Sequence, residues 1–370
     1  MGNELNTLVA NLEAQRNEAK DYVVDSRELT AVPLAQHLQG TTDLLGQVVD
    51  ATVAAKAHQG LGIQVSGLGT FAPTNLAHDQ IASKCGIPSG YYNRMIREGR
   101  WPLLAENINA WMPDRERRLV RTLGPRMRAL LSDGYRILDN LDLLWASLEA
   151  FKGLDLQIQG AEASETRLYL RATARWDKNL LKEIKPGDMV APGVTIRNSE
   201  VGNGKLAVEP FLLRLVCSNG MIGEHSFSRV HIGAKNPLGH LSYQTIADQS
   251  KAIWGEIGDT IRATFNPKFF DEWVERIQGT AGVKIKAPER AIDNVVKEFS
   301  LPDAYKHSLL AHFANGGDGA GATGWGVINA VTRQANMVAK DHPDMAYDLQ
   351  KAAGAMTTMK LGDFEVLVAA

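Results

Sequence analysis

Apolar residues at the start of the chain recur at helical spacing. Leu5, Leu8, Val9 and Leu12 stand three and four apart with charged residues around them, so 4–20 reads as an amphipathic helix. That face predicts packing on the chain's own core or a contact between copies. Residues 22–33 read as an extended arm ending at Pro33, and 61–73 as a strand pair with a Gly turn. Between 74 and 112 the helical period returns. Leu76 and Ile81 mark one apolar face, Gly86 a break, Pro88 a new start, and Tyr91, Tyr92, Met95 and Ile96 a second helix. The pair resembles a helix-turn-helix, a unit that either serves packing alone or reads DNA with its second helix.

The middle of the chain alternates instead. Residues 117–124 and 127–139 follow a period of two, with Gly-Pro at 124–125 and Asp-Gly at 133–134 as turns. A helix capped by Asp139 or Asn140 follows over 139–151, then a hairpin over 155–176 and more strands over 189–233. From 241 the pattern is helical: one long amphipathic helix over 241–265, then shorter ones at 267–278, 288–300, 302–314, 327–340 and 343–355. These elements predict an α+β fold, with a central, mostly antiparallel sheet, a strand–strand–helix–strand core, and helices at both ends. The organisation expected is an arm and helical region over 1–112, a strand-rich core over 113–240 and a helical region over 241–370, as separate units or one interlocked domain.

Composition narrows the function classes. Of 370 residues 44% are hydrophobic and 22% charged, which excludes a disordered chain. No apolar run approaches the roughly 18 residues of a membrane helix, so no membrane partner is expected. The net charge of −2 argues against non-specific wrapping of DNA. Two cysteines far apart, Cys85 and Cys217, form no disulfide framework and suit a reducing cytoplasm. The opening MGNELN lacks the plan of a signal peptide and has Asn6 where myristoylation wants Ser or Thr.

Familiar motifs add little. Gly319, Gly321 and Gly324 match the dinucleotide-binding glycine spacing, but a helix rather than a strand precedes them, so a loop between helices is expected. The GNGK stretch at 202–205 lacks phosphate-loop spacing and reads as a hairpin turn. The nine histidines are dispersed, and neither a structural metal nor a cofactor is expected. Asp177 with Glu183 and Lys185 only faintly echoes a nuclease pattern, and no nucleophile elbow appears.

One charge feature changes the picture. Residues 94–136 hold ten Arg, no Lys and five acids, a local excess of five positive charges. Arginine suits phosphate because its planar fork donates two parallel hydrogen bonds. Trp101, Trp111 and Tyr135 are interleaved and offer faces for unpaired bases. A second polar set lies over 194–235, including Arg197, Asn198, Ser199, Glu200, Arg214, His225, Arg229, His231 and Lys235. There Arg197 and Arg214 suggest a positive sheet face, while Asn198 to Glu200 read as a buried network that fixes turns.

RALLSDGYRILDN at 128–140, NSEVGNGKLAVEPFLLRLVCSNGM at 198–221 and GWGVINAVT at 324–332 resemble the phage/plasmid-like protein family, a domain of unknown function, over about 60–345. The resemblance implies DNA replication, recombination or maintenance of mobile elements, in the cytoplasm of a bacterial host. The order of elements over 117–176 is also similar to the core of Rad52-type single-strand annealing proteins, in topology only. The leading expectation is a homo-oligomeric, non-catalytic single-stranded DNA-binding or annealing protein of a phage or plasmid. Arg118, Arg121, Arg126 and Arg128 would contact phosphates, seconded by Arg197, Arg214 and Arg229, with Tyr135 or Trp111 stacking on bases. One alternative is a metal-dependent enzyme acting on nucleic acid or nucleotides, with Glu200, His231 and Asp133 or Asp139 as its working groups. The other is a non-catalytic assembly or regulatory protein that uses the helix pair at 74–98.

Overall fold

The Gly124–Pro125 dipeptide turns the chain between two strands whose side chains are buried on both sides. These are β5 (Arg117–Leu123) and β6 (Arg126–Ser132). The computed structural model describes residues 2–34, 60–175, 180–215, 219–223, 227–231, 243–316 and 320–368. The arm expected over 22–33 is two strands, β1 (Ala19–Asp25) and β2 (Leu29–Leu34). With β3 (Gly60–Val65) and β4 (Gly69–Pro73) they form a six-stranded sheet of order β1-β5-β6-β4-β3-β2. Every pairing in it is antiparallel except the short β4–β6 contact. Strands from before and after residue 112 therefore share one sheet.

Three helices cover one face of this first sheet: α2 (Asn75–Lys84), α3 (Ser89–Arg97) and α4 (Trp101–Trp111). Ile81, Tyr92, Leu104 and Ile108 from the helices bury against Ile63, Val120, Met127 and Leu130 from the strands. The opposite face holds Leu119, Ala129 and Leu131, which meet Val201. Thr74 caps α2, its hydroxyl accepting from the Ala77 N–H. Gly86, at φ +64°, turns the chain from α2 into α3 at a backbone geometry that favours glycine.

The chain leaves β6 through the Asp133–Gly134 turn and enters α5 (Asn140–Phe151). β7 (Leu156–Ala163) then opens a second sheet with β8 (Leu168–Ala174), β9 (Lys182–Lys185), β10 (Asp188–Asn198), β11 (Leu206–Arg214), β12 (Asn219–Ile222) and β13 (Phe227–Arg229). Its path is β12-β11-β10-β8-β7, with β13 on β11 and β9 on β10. The α+β class is as expected, but the central sheet is two sheets. The strand–strand–helix–strand run divides between them, because β6 pairs with β5 and β4 whereas β7 pairs with β8.

The large core lies between the second sheet and the helices. Val194, Ile196, Val208 and Leu212 point into it from β10 and β11. α1 (Gly2–Glu18) contributes Leu8 and Leu12, so its apolar face packs on the chain's own core. The C-terminal helices that follow are α6 (Tyr243–Thr264), α7 (Pro267–Gly282), α8 (Pro288–Glu298), α9 (Lys306–Ala314), α10 (Gly324–Val338), α11 (Pro343–Thr358) and α12 (Leu361–Val368). One buried ion pair ties α10 to the sheet. Arg214 Nε and Nη2 donate to Asp188 Oδ1 and Oδ2 at 2.5 and 2.8 Å, and Trp325 Nε1 donates to Oδ2 at 2.9 Å. Among the described residues no helix is long and apolar enough to cross a membrane.

Cys85 is buried, and burial pushes its thiol up to about 11, so it is held as an unreactive thiol. Cys217, His225, Lys235, Asp177 and Gly319 lie outside the described residues. His78 on α2 holds the Tyr92 hydroxyl at 2.9 Å, and burial, with a lesser push from Arg126, lowers its pKa to about 4. The ordinary value is 6.5, so below that pH the unfolded chain takes a proton that the folded chain refuses. Stability contributed by this group is therefore full above about 6.5 and falls as pH drops towards 4. Comparing urea stabilities of the native protein and His78→Gln at pH 7.5 and 4.5 should show a smaller acid loss in the variant, by about 3 kcal/mol at most. Equal acid losses would mean that His78 is freely protonated in the fold.

Candidate nucleic-acid interface

Strand register places the first element of the site. β1 and β5 run antiparallel with Asp21 directly opposite Arg121. Arg121 is 4% exposed and its donors are occupied. Nε and Nη2 bind the Asp21 carboxylate at 2.8 and 3.0 Å, Nη2 also binds Asp139 Oδ1 at 2.8 Å, and Nη1 binds the Glu200 carbonyl at 2.8 Å. Burial works against the charge, but Asp139 and Asp21 outweigh it and raise the pKa further.

The Asn198-Ser199-Glu200 tripeptide, where β10 leaves its sheet, supplies the rest. Glu200 accepts from the first backbone N–H of α5, that of Asn140, at 2.6 Å and from Arg128 Nη2 at 2.9 Å. A carboxylate at a helix N-terminus also meets the favourable end of the helix dipole. Asn198 Nδ2 donates to the Leu138 carbonyl and to Asn140 Oδ1, and Asn198 Oδ1 faces His231 Nε2 at 2.9 Å. His231 Nδ1 faces the Arg136 carbonyl at 3.0 Å. Both ring nitrogens thus point at oxygens, while burial lowers the His231 pKa. Tyr135 stacks flat on His231, with centroids 4.9 Å apart, and donates its hydroxyl to the Ser199 carbonyl at 2.9 Å.

Most of the arginines expected to contact phosphate lie inside the fold. Arg118, Arg121, Arg128 and Arg214 are buried, and each guanidinium is paired with a carboxylate: Glu116, Asp21 and Asp139, Glu200, and Asp188 respectively. A strand buried on both faces leaves no solvent side from which an arginine can reach DNA. Arg197 and Arg214 do not share a sheet face, because Arg214 lies opposite Val190 and Arg197 opposite Ala207, on alternate sides of β10. Arg197 is bidentate to Glu209 at 2.9 and 3.0 Å and lies over the Tyr347 ring. Arg126 is half-exposed, 3.5 Å from Glu165, and Arg229 is exposed, 3.0 Å from Glu256. Tyr135 has one face covered by His231. Trp111 stands well out in solvent, at 65% exposure.

The alternative enzymatic set is brought only partly together. Glu200, Asp139 and His231 meet around the joint, but the two carboxylates are engaged by arginines, and Asp133 sits exposed on its turn. Among the described residues no three His, Cys, Asp or Glu side chains converge as around a metal ion.

The arginine-rich stretch splits in two. Arg118, Arg121 and Arg128 on the strands are buried, whereas Arg94, Arg97, Arg100 and Arg115 on and after the helices, and Arg117 at the start of β5, are exposed. Arg94 and Arg100 share Glu98 at 2.7 and 4.0 Å, and Arg97 has no ion pair among the described residues. On the following helix, Leu103, Asn107 and Trp111 follow one another at four-residue spacing along α4. Asn107 Nδ2 donates to the Tyr91 hydroxyl at 3.2 Å, which sets the exposed Tyr91 ring of α3 against the same stripe.

The sequence profile of a domain of unknown function, DUF932, matches residues 129–356. The chain belongs to the DUF932 family. No curated protein and no solved structure matches it. The DUF932 match takes in Tyr135, Asp139, Asn198 to Glu200, His231 and the Asp188–Arg214–Trp325 cluster. It leaves out Asp21, Arg121, Arg128 and the helices α2 to α4. The joint is thus made between the DUF932 region and the segment before it.

Asp21 and Asn140 were not among the expected site residues. Their signal is that of Arg121 itself, a charge set among Leu119, Val120, Thr122 and Leu123, which demands partners from neighbouring elements. Replacing Arg121 by Met leaves Asp21 and Asp139 without their cation. Urea denaturation should show a loss of about 3–5 kcal/mol. A change within about 0.5 kcal/mol, the range of ordinary surface substitutions, would mean that the guanidinium lies outside the joint.

Proposed function

We propose that the protein binds single-stranded DNA without catalysing its chemistry, through the exposed surface of α3 and α4 rather than through the strand arginines. The observation that carries this reading is the stripe of Tyr91, Leu103 and Trp111 beside Arg94, Arg97 and Arg100. Single strands need flat apolar faces for bases and cations for the backbone, with no base-edge code. Surface ion pairs such as Arg94 with Glu98 are worth little, so these arginines exchange a carboxylate for a phosphate at low cost. In this reading Glu200 and Asp139 are architectural. The phage or plasmid setting implied by the sequence resemblance suits a strand-annealing protein that works as an oligomer. The outer edge of β1, last in its sheet among the described residues, supports self-association by offering unpaired backbone groups.

A duplex reading would instead use the polar face of α3, with Asn93, Arg94 and Arg97 following the turn at Gly86. Fluorescence anisotropy with labelled single-stranded and duplex oligonucleotides separates the two, with oligomer mass recorded in parallel. We expect single-strand preference, little dependence on base sequence, and a slope of log affinity against log salt near about −2 for three phosphate contacts. The pair Arg97→Ala with Trp111→Ala should weaken binding at least tenfold and flatten that slope, with thermal stability unchanged. Sequence-specific duplex binding, or undiminished single-strand binding by the double variant, would overturn the assignment.

A further inference from the structure

A groove of about 590 Å³ opens on the other flank of the joint, between α2, the edge of β6 and the turn at 199–205. Its position follows from the fold. β4 pairs with β6 only through Ala72 and Pro73 opposite Arg126 and Met127, so among the described residues no strand pairs with that edge of β6 at Leu130 to Ser132. Gln80 spans the resulting gap, with Oε1 accepting from the Leu130 N–H at 2.8 Å and Nε2 donating to the Val201 carbonyl at 2.7 Å. The chain passes so closely at Gly202, φ +80°, that a Cβ there would come within 2.7 Å of Leu131 Cδ2. The stacked Tyr135 and His231 add a wall held by hydrogen bonds at both rings. The groove is therefore built before any ligand arrives, which lowers the ordering cost of binding.

Its chemistry is that of an anion site with a polar body. Lys84 from α2 and Lys205 from the turn both line it, and neither has a carboxylate partner among the described residues. Lys84 is half-buried, and burial, with a lesser push from Arg118, lowers its pKa. Ser83 and Ser132 offer hydroxyls, and Asp79 is the one acid of the lining, an acceptor suited to amino or hydroxyl groups. A volume of this size holds a mononucleotide but not a folded partner.

The geometry points to a binding site for a phosphate monoester of nucleotide size, its phosphate held between Lys84 and Lys205 and its donor-bearing body lying towards Asp79 and the Tyr135 wall. The phosphate belongs either to a free mononucleotide or to the 5′ end of a DNA strand. The site is separate from the α3–α4 stripe, so each assignment can fail alone.

Titration calorimetry of the full chain with 5′-AMP and with adenosine tests it directly, followed by the other 5′-mononucleotides and their nucleosides. The nucleotide should bind at least tenfold more tightly than the nucleoside. Lys205→Glu, at an exposed turn residue, should remove at least tenfold of that affinity, and Lys84→Met with Lys205→Met should abolish it. Arg97→Ala with Trp111→Ala should leave it unchanged. Competition by a 5′-phosphorylated oligonucleotide far stronger than by its unphosphorylated twin assigns the phosphate to a strand end, and equal competition by the two assigns it to a free nucleotide. Equal affinity for AMP and adenosine, no binding of either, or an unaffected Lys205→Glu variant would overturn the proposal.

Discussion

The two sheets are held to one another by a buried guanidinium. Arg121 is charged, almost fully enclosed, and bonded to β1, to the residue that starts α5 and to the turn after β10. Removing such a cation from water costs several kcal/mol, and only a full set of acceptors offsets that cost. The requirement reaches outward. Asp21 must sit opposite Arg121, which fixes the β1–β5 register, and Glu200 must turn back from β10, which fixes the tripeptide before it. Once Glu200 holds both Arg128 and the first N–H of α5, the entry angle of that helix follows. The turn at 201–205, and with it the groove wall, inherits its position from this arrangement.

The second buried pair acts in the same way at the far end of the molecule. Arg214 and Asp188 join neighbouring strands, and the indole of Trp325 and the amide of Asn329 complete their hydrogen bonds from α10. An apolar cluster of equal volume would pack as tightly but would accept several rotations of the helix. The pair accepts one, because a carboxylate oxygen and an indole N–H must meet at 2.9 Å. Close approaches reinforce this: a Cβ on Gly354 of α11 would lie 1.5 Å from the Ile222 carbonyl oxygen. Specific polar geometry and tight backbone contact together set the C-terminal helices on the sheet.

Periodicity made the element types legible. The helices at 241–265 and 343–355 and the strands at 61–73 and 117–124 stand close to where the alternation puts them, because each has one long apolar face or two, whereas the strand expected over 127–139 ends at Ser132, where Asp133 and Gly134 turn the chain. The division into two sheets was not legible, since pairing of β1 with β5 joins segments about a hundred residues apart and leaves no local mark. The burial of the strand arginines was not legible for a related reason. Charge counting treats Arg94 and Arg121 alike, yet one follows a helix face beside Glu98 and the other sits in a run of Leu, Val and Thr. Neighbouring hydropathy, rather than charge density, separates a cation that meets solvent from one that must find carboxylates inside. The tripeptide Asn198 to Glu200 is buried, as its sequence suggested, because three consecutive polar residues at the end of an apolar strand need mutual partners.

That separation of charges also bears on what the family region does. The DUF932 match covers the second sheet, α5, the tripeptide and most of the C-terminal helices, which is the part organised by internal ion pairs. The exposed arginines and the aromatic stripe lie on α3 and α4, outside it. On the proposed reading, DNA binding is then a property of the segment that precedes the family match, docked on it through Arg121. The groove straddles the two: Lys84 comes from the preceding segment, while Tyr135, Gly202 and Lys205 come from the DUF932 region. A ligand held there touches both parts at the interface whose register Arg121 sets. Binding in the groove and the docking of the α2–α4 layer are therefore coupled through shared contacts, since anything that loosens the joint separates the two lysines.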